Sequence, residues 1–258
     1  MAALILMAAE KGRPHTENER YDEIWHACVE HITAQGLLPF HASSMIAPHG
    51  RAGIGAALQR AQSLLVSNTV SRVLLLGVDS YINSVTISHY LEQERLLCSD
   101  NSNGFIPGEG AAALLLELAT PQSSGLLITG AGVAREKAVF EGITPNRAIG
   151  LTQAIRQALE SAKLAPNHLQ FRMNDLNGEQ YFAKEAANAY TRVMADDSVL
   201  LPLLHIADCV GETGAAAGPL SLAYLSRIMG EQDGPGTQGV LHFANDNGLR
   251  AACIVRYV

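Results

Sequence analysis

Two cysteines lie in polar surroundings of the kind that nucleophilic catalysis requires. Cys209 stands between His205 and Glu212 in one short segment, and a histidine activates a thiol by accepting its proton. We predict a strand that leads to Cys209, on which alternation places His205, Ala207 and Cys209 on one face. Cys98 stands just before a second polar segment. We interpret both cysteines as small, buried side chains; a reactive thiol at either position is the alternative.

Two segments rich in small residues have spacings that packing alone does not require. The first runs from Asn101 to Glu117 and carries a phenylalanine and a glutamate at fixed offsets among glycines. The second runs from Val210 to Gly218 and consists largely of glycine and alanine. Small residues let a helix lie close to a strand and let backbone approach a ligand. Either segment alone is typical of helix–sheet packing, whereas the two together indicate a particular fold.

In this order, the two segments resemble β-ketoacyl synthases of the thiolase superfamily. The first resembles the family loop Asp-Gly-Phe-x-x-Gly-Glu-Gly-Ala, with Asn103 in place of the aspartate. The second resembles the family turn Gly-His-Thr-x-Gly-Ala-Ala-Gly, and the likeness covers about residues 40 to 258. The positions that match the family loop are Gly104, Phe105, Gly108, Glu109 and Gly110.

The resemblance also implies five catalytic elements, and the sequence departs from the family at each of them. The nucleophile, two histidines, a lysine and a glycine-rich oxyanion loop are all replaced. Ala47, followed by Pro48, stands at the nucleophile position; Leu176, in the turn that begins at Asn174, and Glu212 stand at the histidine positions; Ala207 replaces the lysine; Asn245 lies in the segment that replaces the oxyanion loop.

These departures favour a protein that does not perform carbon–carbon condensation, since fold alone does not carry function. Two branches of the superfamily resemble such a chain. Chain-length factors lack the nucleophile and pair with an active subunit, whereas other thiolase-like proteins are encoded beside cargo of the bacterial type VI secretion system. The segment from Gly77 through the loop that ends at Gly110 looks most like the second branch, the proteins encoded beside type VI secretion cargo. We therefore expect a non-catalytic binding subunit or effector accessory; an acyltransferase with a relocated cysteine nucleophile is the alternative.

Composition excludes several other classes of protein. The 18 basic and 25 acidic residues give a net charge of −7, which disfavours nucleic acid and anionic membranes as partners. Apolar residues make up 48% of the chain and charged residues 17%, which excludes a disordered chain. The four cysteines form no CxxC pair, so we expect neither a metal site nor a cofactor. No apolar run reaches transmembrane length, and we expect a cytoplasmic protein.

Strand and helix patterns alternate along the chain and predict an α/β fold. The resemblance implies the layered αβαβα arrangement of thiolases, built from two similar halves, with the first half truncated. The polar segment from Thr120 to Gly125 is the predicted boundary, dividing the chain into residues 1–120 and 121–258. Family dimers pair through a strand of the first half, so we expect a homo- or heterodimer through His41–Ile46, with an acyl carrier or a secreted effector as the class of partner.

Overall fold

Apolar segments of the first half form a four-stranded sheet. The structure is a computed structural model that describes residues 1–14, 16–36, 40–194 and 200–258. The strands are β1 (Ala2–Ala8), β2 (Met45–Pro48), β3 (Arg72–Ser80) and β4 (Glu109–Leu116), and they lie in the order β2-β1-β3-β4. β1 pairs in parallel with β2 and β3, whereas β4 runs antiparallel to β3. β2 is thus an edge strand, and it begins at Met45 rather than at His41.

The second half forms a five-stranded sheet. Its strands are β5 (Leu126–Arg135), β6 (Phe171–Asn174), β7 (Leu203–Leu204), β8 (Gln238–Ala244) and β9 (Leu249–Tyr257), in the order β5-β9-β8-β6-β7. β6 pairs in parallel with β7 and β8, and β9 runs antiparallel to β8 and β5. β8 and β9 form an antiparallel hairpin that closes the second sheet.

Helices lie between and outside the sheets. They are α1 (Asn18–Ala34), α2 (Gly53–Val66), α3 (Ser84–Glu92), α4 (Ile149–Ala162), α5 (Gln180–Val193), α6 (Ala207–Val210) and α7 (Ala217–Ile228). α2 contacts strands of both sheets, α7 contacts β3 and β4, and α4 packs on β5, β9 and β8. The largest apolar core contains residues from both sheets and from α2 and α7. The predicted layered α/β fold is confirmed. No helix in the described ranges is long and apolar enough to cross a membrane.

The two halves repeat one topology, and the first half is the shorter. The order β7-β6-β8-β9 matches β2-β1-β3-β4, with the same parallel and antiparallel pairs. The second half adds β5 and α4 ahead of this common part, and the described part of the first half has no counterpart of them. The first half is therefore incomplete relative to the second, as predicted. Residues 117–125 connect the two sheets. One apolar core contains residues from both sheets, so the division into two domains stays a prediction.

The predicted strand leading to Cys209 is present but ends early, and the predicted alternation of His205, Ala207 and Cys209 on one strand face is wrong. β7 ends at Leu204, and Cys209 lies in the short helix α6. The backbone N–H of Cys209 donates to the Ile206 carbonyl, and that of Gly211 donates to the Ala207 carbonyl. These local hydrogen bonds coil the chain, so the two-residue alternation expected there does not apply.

Candidate functional site

The two glycine-rich segments lie side by side. The backbone N–H of Gly108 donates to the Glu212 carbonyl at 3.0 Å, and the N–H of Glu212 donates to the Ile106 carbonyl at 2.8 Å. A Cβ atom at Gly108 would overlap the Val210 carbonyl oxygen, so this approach requires glycine. Gly110 is less constrained, since a Cβ there would lie 2.9 Å from the flexible end of a leucine side chain of α7. The glycines of the first motif thus hold the second motif in place.

The remaining residues of the first motif also support the loop. Phe105 is buried and packs edge-on against Tyr81 and Tyr90, with ring centroids 5.5 Å and 5.1 Å away. A Cβ at Gly104 would lie about 2.5 Å from the backbone of a neighbouring turn. The carboxylate of Glu109 accepts a hydrogen bond from the hydroxyl of the last residue of β3. These residues position the site but contribute no reacting group to it.

The turn between β2 and α2 follows Ala47 and Pro48, the residues that the sequence resemblance assigns to the nucleophile position. Ala47 is buried in β2, and Pro48 ends that strand. Asn245 fastens the turn from the opposite half: its Oδ1 accepts from the Ala52 N–H at 2.8 Å, and its Nδ2 donates to the His49 carbonyl at 2.6 Å. Asn245 is 1% exposed, and its hydrogen bond to Ala52 is buried, whereas the one to the exposed residue His49 is only partly buried. Asn245 therefore holds the turn between β2 and α2 against the second half of the chain.

Arg51 fills the centre of the site. It is 5% exposed, and its Nη1 lies 2.7 Å from Oε2 of Glu212, the residue at the second histidine position. Its Nε and Nη2 each lie 3.6 Å from a further carboxylate, that of Asp175 and that of Asp246 respectively. Burial alone would lower the pKa of Arg51, but these carboxylates outweigh burial and raise that pKa, so the guanidinium stays charged.

A second arginine extends the ion pairs. Arg95 Nε lies 2.8 Å from Glu179 Oε1, and Arg95 Nη1 lies 2.7 Å from Asp246 Oδ2. Asn177 joins the two groups, because its Nδ2 donates to Glu179 at 3.2 Å and to Glu212 at 2.7 Å. The result is a buried ion-pair cluster of two arginines and four carboxylates. In order along the chain its charged members are Arg51, Arg95, Asp175, Glu179, Glu212 and Asp246.

Two carboxylates of the ion-pair cluster are shifted in opposite directions. Burial raises the pKa of Asp175 to about 6, although Arg51 partly opposes this rise. Burial would also raise the pKa of Asp246, but hydrogen bonding to Arg95 and its charge outweigh burial, so the pKa of Asp246 falls below its usual value. Since the pKa of Asp175 is higher in the folded chain, the stability this group contributes is lost as the pH rises from about 4 through 6.

Three other sequence-predicted positions lie at the end of β6, just after it, and at the start of α6. Asn174 is buried at the end of β6, and its Oδ1 accepts from the N–H of the half-buried Leu176 at 3.2 Å. Leu176 offers no proton donor or acceptor on its side chain at the first histidine position. Ala207 begins α6 and is half-buried. No group of three His, Cys, Asp or Glu side chains within the described ranges is arranged to hold a metal ion.

The expected burial of Cys98 and Cys209 is wrong. Both thiols are exposed, because Cys98 stands in a surface turn and α6 presents Cys209 to solvent. His205 makes its polar contact with Asp208, at 2.9 Å between Nε2 and Oδ2. Cys253 is the buried thiol, and burial raises its pKa to about 12.

Sequence reasoning missed the charged residues that fill the site. Arg51 follows the degenerate nucleophile position, while Asp175 and Asp246 stand beside the degenerate positions Asn174 and Asn245. The sequence carried only a partial signal, because Asp175 and Asp246 directly adjoin predicted site positions whereas Arg51 stands four residues after Ala47. What the sequence did not show is that these charges, far apart along the chain, neutralise one another.

Comparison with known proteins supports the fold and no closer relationship. No protein-family model and no curated protein matches the chain. Solved structures do match over the whole chain. One is a type II polyketide acyl-carrier protein in complex with its ketosynthase; the TM-score is 0.79 at 15% identity, and the match covers 78% of that chain. The module 6 ketosynthase of the Bacillus subtilis 168 bacillaene synthase gives a TM-score of 0.77 at 16% identity, with 53% of its length covered.

A third match is the ishigamide ketosynthase/chain length factor, with a TM-score of 0.67 at 16% identity and 73% of that chain covered. The chain thus spans between about half and three quarters of these structures. Identities this low establish architecture rather than activity. The resemblance read from the two glycine-rich segments agrees with this result: the chain has the thiolase-like fold of ketosynthases.

Proposed function

We propose that this chain is a catalytically inactive, ketosynthase-like subunit that acts by binding another protein. The observation that carries the proposal is the buried ion-pair cluster. Arg51 pairs with Glu212, the residue that the sequence resemblance assigns to the second histidine position, and Ala47, assigned to the nucleophile position, supplies no nucleophile. A condensing site must bind an acyl thioester and stabilise an enolate. A site filled by paired side chains offers neither a nucleophile nor free hydrogen-bond donors to do so.

The form of this function that has most support is a chain-length-factor-like partner. One structural neighbour is the ishigamide ketosynthase/chain length factor, and another is a ketosynthase in complex with an acyl-carrier protein. The edge strand β2 is the surface we assign to pairing with a second subunit, because its Met45 is exposed and its outer backbone edge is open in the described part of the chain. An accessory or chaperone role for type VI secretion effectors rests on the sequence resemblance alone.

A condensation assay tests the inactive site. The protein is incubated with acyl-thioester and malonyl-thioester donors on an acyl-carrier protein, and β-ketoacyl product is measured by mass spectrometry. We expect no product above the rate without protein. Product formation that depends on the chain would overturn the proposal.

The pairing surface has a separate test. Met45→Arg places a charge on β2, whereas Ile143→Arg places one on an exposed side chain elsewhere. In light scattering after size exclusion at micromolar concentration, alone or with an active ketosynthase, we expect the parent chain and Ile143→Arg to form a dimer and Met45→Arg to remain monomeric. A monomeric parent chain under both conditions would contradict pairing through β2.

The second candidate function is an acyltransferase that uses a relocated cysteine. The exposure of Cys98 and Cys209 favours it, since a nucleophile must be reachable by substrate. The contact of His205 with Asp208 weighs against a Cys209–His205 pair. Replacement of each cysteine by serine separates the two functions: a binding subunit keeps its partner in both variants, whereas the enzyme loses acyl transfer in one of them.

A further inference from the structure

The first sheet carries an open edge of a kind that the second sheet does not have. β4 pairs with β3 on one side, and no strand in the described ranges pairs with its other side. The matching strand of the second sheet, β9, is paired on both sides, by β8 and β5. β4 is eight residues long with the sequence EGAAALLL. It lacks the prolines, lysines and bulges that usually protect an edge strand from pairing.

The outer face beside this edge is apolar and uncovered. Cross-strand register pairs Leu74 with Leu115, and the next outward pairs along the two strands are likewise apolar. Leu115 is 59% exposed, and Ala113 and Val78 are exposed as well. We call this surface, Leu74, Leu76, Val78, Ala111, Ala113 and Leu115, the β3–β4 outer strip. An exposed apolar strip that flanks an open edge indicates an interaction site.

The second half shows what covers the equivalent strip. There α4 lies on the outer face, and its Leu151, Ile155 and Leu159 share one buried core with Val240 and Ile254 of β8 and β9. β5 and α4 approach each other very closely, because Cβ atoms at two glycines of β5 would overlap the backbone of α4. One strand and the helix that follows it thus close both the edge and the outer face of the second sheet.

There is also room beside the edge. A cavity of about 520 Å³ lies between the end of β4, β5 and α2, and Leu116, Leu58 and Ile128 are among its lining residues. An added strand at β4 would bring side chains to this opening. Strand addition at an exposed edge draws its affinity from backbone hydrogen bonds and its specificity from side-chain pockets.

We propose that the β4 edge and the β3–β4 outer strip bind a strand followed by a helix from another polypeptide chain. The added strand runs antiparallel to β4, as β5 does to β9. It carries small residues towards its own helix, and that helix lays an apolar face on Leu115 and Ala113. A second copy of this chain fits less well, because pairing of two β4 strands closes the edge but brings no helix to the strip.

Photocross-linking identifies the occupant. The full chain, carrying p-benzoylphenylalanine at Leu115, is produced in its natural host and irradiated, and the cross-linked peptide is sequenced by mass spectrometry. The same amino acid at Ile143 serves as the control. We expect a cross-link from position 115 alone, to a different polypeptide, in a segment that forms a strand followed by a helix. A cross-link to a second copy or within the same chain, or no cross-link, would overturn the proposal.

Two further measurements require that the cross-linked protein binds at this edge. The purified partner should slow hydrogen exchange of β4 amides at least tenfold while β2 amides stay unchanged. Leu115→Lys should weaken the complex at least tenfold, whereas Ile143→Lys should not. Unprotected β4 amides, or equal affinity of the two variants, would refute the proposal even if a cross-link forms. Because β2 and β4 are opposite edges of the sheet, these results do not depend on the pairing proposed for β2.

Discussion

Replacement of Arg51 by leucine should destabilise the protein far more than loss of an ordinary ion pair. The change removes the cation that lies 2.7 Å from Glu212 and 3.6 Å from Asp175 and Asp246. Glu212 and Asp175 then lose their buried counter-ion, whereas the partly exposed Asp246 keeps its pairing with Arg95. Breaking a buried pair by removing one partner costs about 3–5 kcal/mol. For a chain of this size that is a fall in Tm of roughly 6–20 °C.

The matched control is Arg227→Leu. Arg227 pairs with Glu231 on the surface, and its side chain is 81% exposed, so its loss should cost less than about 1 kcal/mol. Differential scanning calorimetry of both variants, with the parent chain, gives the comparison. If Arg51→Leu lowers Tm no more than Arg227→Leu does, the ion-pair cluster does not stabilise the site and the reasoning fails.

Three further changes test other parts of the site. Asp175→Asn should raise stability near neutral pH by about 2–3 kcal/mol and flatten the dependence of Tm on pH between about pH 4 and 6. If the Tm of this variant still falls over that range, the raised pKa of Asp175 is contradicted. Gly108→Ala should cost about 1–3 kcal/mol in urea unfolding through overlap with a backbone carbonyl. Gly53→Ala should cost less, because a Cβ there would meet a side-chain atom at 3.0 Å and no backbone atom. Equal losses would refute the close backbone approach at Gly108. Asn245→Ala should cost about 1–3 kcal/mol by leaving the Ala52 N–H and the His49 carbonyl without their side-chain partner. Urea unfolding of the exposed control Asn247→Ala should show a smaller loss of stability. An equal loss would contradict the stabilising role of the Asn245 hydrogen bonds.

The sequence predicts the layers of this fold well because its apolar periods are strong. The continuous apolar run of β1 is buried on both faces, and the alanine- and leucine-rich pattern of α2 is that of a helix packed between two sheets. In the first glycine-rich segment, Gly108 lies so close to the Val210 carbonyl oxygen that no larger residue fits there. Features with a local physical cause were therefore predictable.

The filling of the site was not predictable in the same way. Arg51 and Glu212 are 161 residues apart, and no local pattern links them. The surface position of Cys209 was missed because hydrogen bonds within α6 override the alternation of a strand. Long-range pairing of charges and short helical turns depend on the assembled fold, which a residue pattern does not specify.

The central claim is that this ketosynthase-like site does not form an acyl-enzyme. Intact-mass spectrometry after incubation with a panel of acyl-thioester donors tests it most directly. Cys98 and Cys209 should react with a maleimide because both are exposed, which shows that the thiols are intact, and Cys253 should react only after unfolding. With the acyl donors we expect no stable increase in mass. An acyl adduct that maps to Cys98 or Cys209, and disappears when that cysteine is replaced by serine, would contradict the account and identify the nucleophile of an enzyme.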